Sequence, residues 1–151
     1  MSGSTTTSHA QVLSTVVAAL RAAPALATCK VASNRTRPVS EKDNTAIVVR
    51  LLRSQGNKPT VHFVDWTTTL AIECMARSAT GTDPATAADT LILAAWAQLA
   101  AISPAAVGWM DSGLQPDIAW DYDEQAQPQC SATILLNVQH RTPANSLAPT
   151  P

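Results

Sequence analysis

Two hydrophobic spacings alternate along the chain, and the points where one gives way to the other divide it into elements. Leu13, Val16, Val17 and Leu20 recur at three- and four-residue intervals, with Ala10 one turn earlier on the same face. Gln11, Ser14, Thr15 and Arg21 fall on the opposite side. Ser8 and Gln11 have the spacing of a capping box, and Pro24 bars continuation, so the pattern predicts a helix over 8–23. A second helix opens at Asp83-Pro84, an N-cap followed by a residue suited to the first turn, and runs to about 101. Leu91, Ile92, Ala95, Trp96, Leu99 and Ile102 give it a wide apolar face, interrupted by Asp89, Thr90 and Gln98. A helix this apolar needs cover from more than one side.

Period two governs most of the remainder. The stretch 46–52 is rich in β-branched residues and sets Ile47, Val49 and Leu51 on one face. The clearest strand is 61–77, with a bend or bulge expected near Asp65. Trp66, Thr68, Leu70, Ile72, Cys74 and Ala76 point one way there, and Thr67, Thr69, Ala71, Glu73, Met75 and Arg77 the other. Strands at 117–122 and 130–141 flank a polar turn at 123–128. In the second of them Cys130, Ala132, Ile134, Leu136 and Val138 oppose Ser131, Thr133, Asn137, Gln139 and Arg141. A short strand fits 26–32. The polar stretch 34–44 reads as a long loop or hairpin tip, 55–59 as a turn and 103–116 as a loop. Residues 1–7 form a Ser/Thr/Gly arm, 8–142 a single domain and 143–151 an extended proline-rich tail. The expected fold is α+β: a mostly antiparallel four- to five-stranded sheet with two helices packed on one face.

Composition narrows the function classes. The 151 residues suffice for one domain, and 46% hydrophobic content supports a core. Charged residues are only 14%, against about a quarter in ordinary domains. An unusual share of the surface is therefore uncharged, as suits a chain partly covered by other subunits. A net charge of −1 gives no basic footprint for tight nucleic-acid binding. Cys29, Cys74 and Cys130 are an odd number with no CxxC pair, and fit reduced, buried thiols better than disulfides or zinc. The uncharged stretch 90–110 is alanine-rich and broken by Pro104 and Gly108, which disfavours a membrane span. The polar start lacks the pattern of a secretory leader.

Catalytic and cofactor signatures are absent: there is no GxxxxGK[ST], GxGxxG, GxSxG or HExxH. His9 is expected in solvent, and His62 and His140 as strand histidines rather than metal ligands. Neither an enzyme nor a cofactor or metal site is expected. The residues that remain suit surfaces. Arg35 and Arg37 lie on the polar loop, and Arg50, Arg53, Glu73 and Arg77 on the polar sheet face, where ion pairs and subunit contacts are both open readings. Trp96 sits on the apolar helix, and Trp109, between Gly108 and Met110, is the candidate for an exposed interface anchor. Asp121, Asp123 and Glu124 cluster at the last turn, fit for a hard cation, an acidic surface or plain solvation.

One resemblance covers about residues 8–142. Its strongest portion is Ile118-Ala119-Trp120-Asp121-Tyr122-Asp123-Glu124, followed by Ala132-Thr133-Ile134 and Val138-Gln139-His140-Arg141-Thr142. The strand from Trp66 to the Ile72-Glu73 pair, followed by a helix, supports it. In these features the chain resembles the tail terminator proteins of long-tailed bacteriophages, the minor tail protein U group. The resemblance implies a structural virion protein at the head-proximal end of the tail, assembled in the host cytoplasm. It implies a homohexameric ring that caps the tail tube, stops its polymerisation and presents the tail to the head–tail connector. The implied partners are further copies of the chain, the tube protein and the connector, with DNA only in transit and no membrane. On this reading Asp121, Asp123 and Glu124 would face the lumen, where an acidic wall lets DNA slide. A head-completion or neck adaptor is the alternative within virion proteins. A small α+β ligand-binding domain is the alternative outside them.

Overall fold

The computed structural model describes residues 6–33, 44–77, 83–123 and 128–150. Helix α1 (Ser8–Arg21) is capped one residue earlier than its sequence suggests. Thr7 Oγ1 accepts the Ala10 amide at 3.0 Å, while the Ser8 hydroxyl turns inward to His140. The expected Ser8–Gln11 capping box is thus replaced by a threonine cap. Pro24 ends the helix and opens a 3-10 turn, Pro24–Leu26. That turn displaces the start of the short strand, so β1 is Lys30–Ser33. Strands β2 (Thr45–Asn57) and β3 (Phe63–Arg77) follow, then helix α2 (Pro84–Ala100). Asp83 caps α2 by accepting the Ala85 amide at 3.1 Å. Strands β4 (Asp111–Asp123) and β5 (Gln129–Pro143) complete the domain.

The sheet order is β1-β2-β3-β5-β4, with β1–β2 parallel and every other pair antiparallel. The fold is α+β with a mostly antiparallel five-stranded sheet, as the sequence pattern predicts. Residues 55–57, expected in a turn, instead extend β2 opposite Asp65 to Thr67. Gly56 is needed there for close approach: a Cβ would lie 3.0 Å from the Trp66 ring. Residues 111–116, expected in a loop, open β4. Gly113 and Pro116 are tolerated because β4 is an edge strand, and the register slips between Leu114 and Ile118 around the proline. The bulge expected near Asp65 is absent, since β3 pairs with β5 without a break. It falls on β2 instead, where Leu52 is left over between Leu51 and Arg53.

Both helices cover one sheet face. Ile47, Val49, Leu70, Ile72, Cys74, Ile134, Leu136 and Val138 bury against Val12, Val16 and Leu20 of α1 and Ile92, Ala95 and Leu99 of α2 in one core. Burial of each large aliphatic contributes about 1.5–3 kcal/mol. Gln98, which interrupts the apolar face of α2, donates from Nε2 to the Ala19 carbonyl at 2.8 Å and ties the helices together. Residues 144–150, expected as a free tail, return to the start of α1: the Ser8 amide donates to the Leu147 carbonyl at 2.8 Å. The Thr150 hydroxyl donates to the Arg141 carbonyl at 3.1 Å.

Candidate assembly surfaces

Alternation along β2, β3, β5 and β4 decides what stands on the sheet face away from the helices, which is buried around Ala46, Val48, Ala71 and Ser131 and more accessible towards the β2–β3 turn. Near the β2–β3 turn it is polar. Arg141 donates to both carboxylate oxygens of Asp65, at 2.6 and 3.1 Å, and its guanidinium lies 5.1 Å from the centre of the Phe63 ring. This bidentate contact holds the Asp65 carboxyl below its ordinary range. Asn137 Oδ1 accepts from the Thr69 hydroxyl at 2.8 Å and from Gln115 Nε2 at 3.0 Å. Between them, Gln55, Asn57, Asp65, Thr67, Met110 and Gln139 line an open groove of about 570 Å³. Further along the face, Arg50 pairs with Glu73 at 2.8 Å and Arg77 Nε donates to Gln129 Oε1 at 3.3 Å.

These contacts bring four of the sequence candidates onto one surface. Arg50, Glu73 and Arg77 lie there by strand parity, and Arg53 joins them because of the bulge. Before Leu52 the even positions of β2 face outward; after it the odd ones do, so Arg50 and Arg53 share a face. Asp121 and Asp123 stand on the same open face of β4, opposite Ser131 and Gln129. Arg35, Arg37 and Glu124 lie outside the described residues. The tryptophans divide differently. Trp109 is not an exposed anchor but is buried in the core. Gly108 takes a left-handed turn, φ 79°, which folds Trp109 inward and leaves Met110 outside. Trp96 is half-buried and lines a groove of about 420 Å³ with Leu99, Ile102 and Leu114. Trp120 takes the exposed role instead, with Ile118 and Tyr122 beside it.

A second polar cluster lies within the core. His140 follows Val138 on the inward face of β5, a parity legible in the sequence, and is 2% exposed. Its Nδ1 lies 2.7 Å from Ser8 Oγ and its Nε2 2.6 Å from Thr68 Oγ1. Thr68 Oγ1 also lies 2.8 Å from Ser54 Oγ, and Trp66 Nε1 donates to the Thr142 hydroxyl at 3.0 Å. His9, expected in solvent, packs edge-on against both Trp66 and His140. Burial and the neighbouring His9 lower the His140 pKa to about 4. A serine beside an imidazole can be activated when a carboxylate steadies the imidazolium that forms. Here Thr68 occupies the other nitrogen, so the arrangement favours a neutral ring and acts as a clamp. Burial also pushes the Cys74 thiol to about 12 and raises that of Cys130, which keeps both protonated at neutral pH.

Among the described residues, no group of three or more His, Cys, Asp or Glu is placed to hold a metal ion. No described helix is long and apolar enough to cross a membrane. Comparison with known proteins finds no family model that matches the chain and no curated protein that matches it.

Proposed function

We propose that this chain is a structural subunit that forms a ring on the end of a phage tail tube, stops tube growth and offers the surface that receives the head connector. The observation that supports this most directly is the one-sided sheet. Both helices cover one face; the other is spanned by ion pairs and amide contacts, with a small apolar cluster of buried Ala46 and Val48 and half-buried Met75 towards the β1 end. Such a face suits contact between preformed subunits better than folding of the subunit itself. The resemblance of the β4–β5 hairpin to the tail terminator group supplies the identity of the partners: copies of the same chain, the tube protein and the connector, with DNA passing through the centre.

The test is tube assembly in the presence of the purified protein. Tube protein polymerised with it should give tubes of bounded length carrying an extra density at one end in negative-stain images. Tubes that grow to the same lengths with and without the protein, and carry no cap, would refute the proposal.

A further inference from the structure

The charges of the described residues are sorted across the sheet. At one edge, β1 and β2 carry Lys30, Arg50 and Arg53 and no acid. At the other edge, β4 carries Asp111, Asp117, Asp121 and Asp123 and no base. Both edges have backbone to offer. Strand β1 pairs with β2 only as far as Val49, so residues 50–57 of β2 have no described strand on their outer side. Strand β4 has none along its whole outer edge.

We infer that these two edges join copies of the chain head to tail, β4 of one subunit adding to residues 50–57 of β2 in the next. Direction permits it. The chain of antiparallel pairings makes β4 run opposite to β2, so a copy placed alongside with the same strand orientation presents an antiparallel partner. Face parity permits it too. Asp121 and Asp123 stand on the open face of β4, and the Leu52 bulge puts Arg50 and Arg53 on the open face of β2. In one continuous sheet these pairs lie on the same side of the seam, where directly opposed side chains come within about 5 Å. Arg50 is paired with Glu73 on β3, the inner side of β2, so it must share or turn from that pair to meet an aspartate across the seam.

The alternatives are self-defeating. A two-fold pairing of β4 with β4 would bring two acidic edges together, and of β2 with β2 two basic ones. Charges and bulges on an edge can also serve only to prevent aggregation. That purpose needs no opposite sign on the two edges, whereas recognition between copies does. The helix side of β4 agrees. Ile118, Trp120 and Tyr122 face the core side by register, yet lie 38%, 41% and 60% exposed because the helices do not reach them. An adjoining subunit would cover them. The seam deepens the proposed function and rests on that reading for closure into a ring; the contact itself is argued from charge and strand direction. It also places Asp121 and Asp123 between subunits rather than on a lumen wall.

Two reversed variants test the seam: Asp121→Lys with Asp123→Lys, and Arg50→Glu with Arg53→Glu. Arg53→Glu alone serves as a control that keeps the Arg50–Glu73 pair, and urea unfolding verifies that each variant folds. Mass is measured by sedimentation and light scattering at low salt, up to about millimolar protein. The wild type should assemble, each double variant alone should associate about tenfold or more less tightly, and their mixture should recover assembly because the reversed edges complement each other. Reversed variants that assemble as the wild type does would overturn the seam while leaving tube capping intact. A wild type that stays monomeric throughout would also overturn it. Tube capping is read separately, so loss of capping with self-assembly retained would refute the function and spare the seam.

Discussion

A neutral imidazole at residue 140 holds three parts of the chain together: α1 through Ser8, β3 through Thr68 and its own strand β5. A neutral ring has one N–H and one lone pair, so one hydroxyl donates to it and the other accepts from it. Protonation makes both nitrogens donors, which the two hydroxyls can still accept, but it places a positive charge in a buried site beside the His9 ring. The folded pKa of about 4 lies below the ordinary 6.5, so the unfolded chain takes up the proton first as pH falls. The stability this contributes is complete above pH 6.5 and is lost between there and about 4. Between pH 7.5 and 4.5 the loss should be roughly 2–3 kcal/mol. Burial lowers the pKa of His9 as well, so it adds a smaller part in the same range. Urea unfolding at the two pH values should show most of that loss vanish in His140→Gln. An unchanged pH dependence in the variant would assign it to other groups.

The start of α1 and the bulge of β2 show which features of an element its own sequence carries. Helix α1 was legible from the spacing of Leu13, Val16, Val17 and Leu20, and the β3 and β5 faces from strict alternation, because burial on one side imposes the period directly. The cap was not legible. Thr7 and Ser8 are both good N-cap residues, and the choice between them was made by His140, 132 residues away. This gives a ranked prediction. Thr7→Ala removes a cap and should cost about 1 kcal/mol. Ser8→Ala leaves a buried imidazole nitrogen without its partner and should cost more, about 1–3 kcal/mol. Thermal unfolding of the two variants checks the order, and a larger loss in Thr7→Ala would restore the capping-box reading. The long edges were hidden for a related reason. Gly56, Gly113 and Pro116 are turn residues by local preference, and they lie in strands because of the Trp66 ring or an edge position, neither of which local sequence specifies. The acidic pair at Asp121 and Asp123 was legible as a cluster. Arg50 and Arg53 were expected on one polar face and do share it, although strict alternation would part them; the extra residue at Leu52 is what puts them together.

At the scale of the whole molecule, a low charge density is combined with a sorted charge distribution, and the two together set how assembly should respond to ions. With a net charge of only −1, copies do not repel one another strongly as bodies. Orientation then comes from the separation of β1 and β2 cations from β4 aspartates, about the width of the sheet. Added salt shortens the screening length from about 30 Å at 0.01 M to about 3 Å at 1 M, and should weaken a seam made of exposed opposite charges. An interface made instead by the apolar flank of α2, around the 71% exposed Leu93, would respond in the opposite sense to sulfate, which strengthens apolar burial. Sedimentation in chloride and in sulfate therefore separates the two. Dissociation as chloride rises from 0.05 to about 0.5 M, without rescue by sulfate at equal ionic strength, is the expected result. Assembly that holds in chloride and tightens in sulfate would move the principal contact from the charged edges to the helix. The closing geometry of a ring would then have to come from packing of α2 rather than from a continuous sheet.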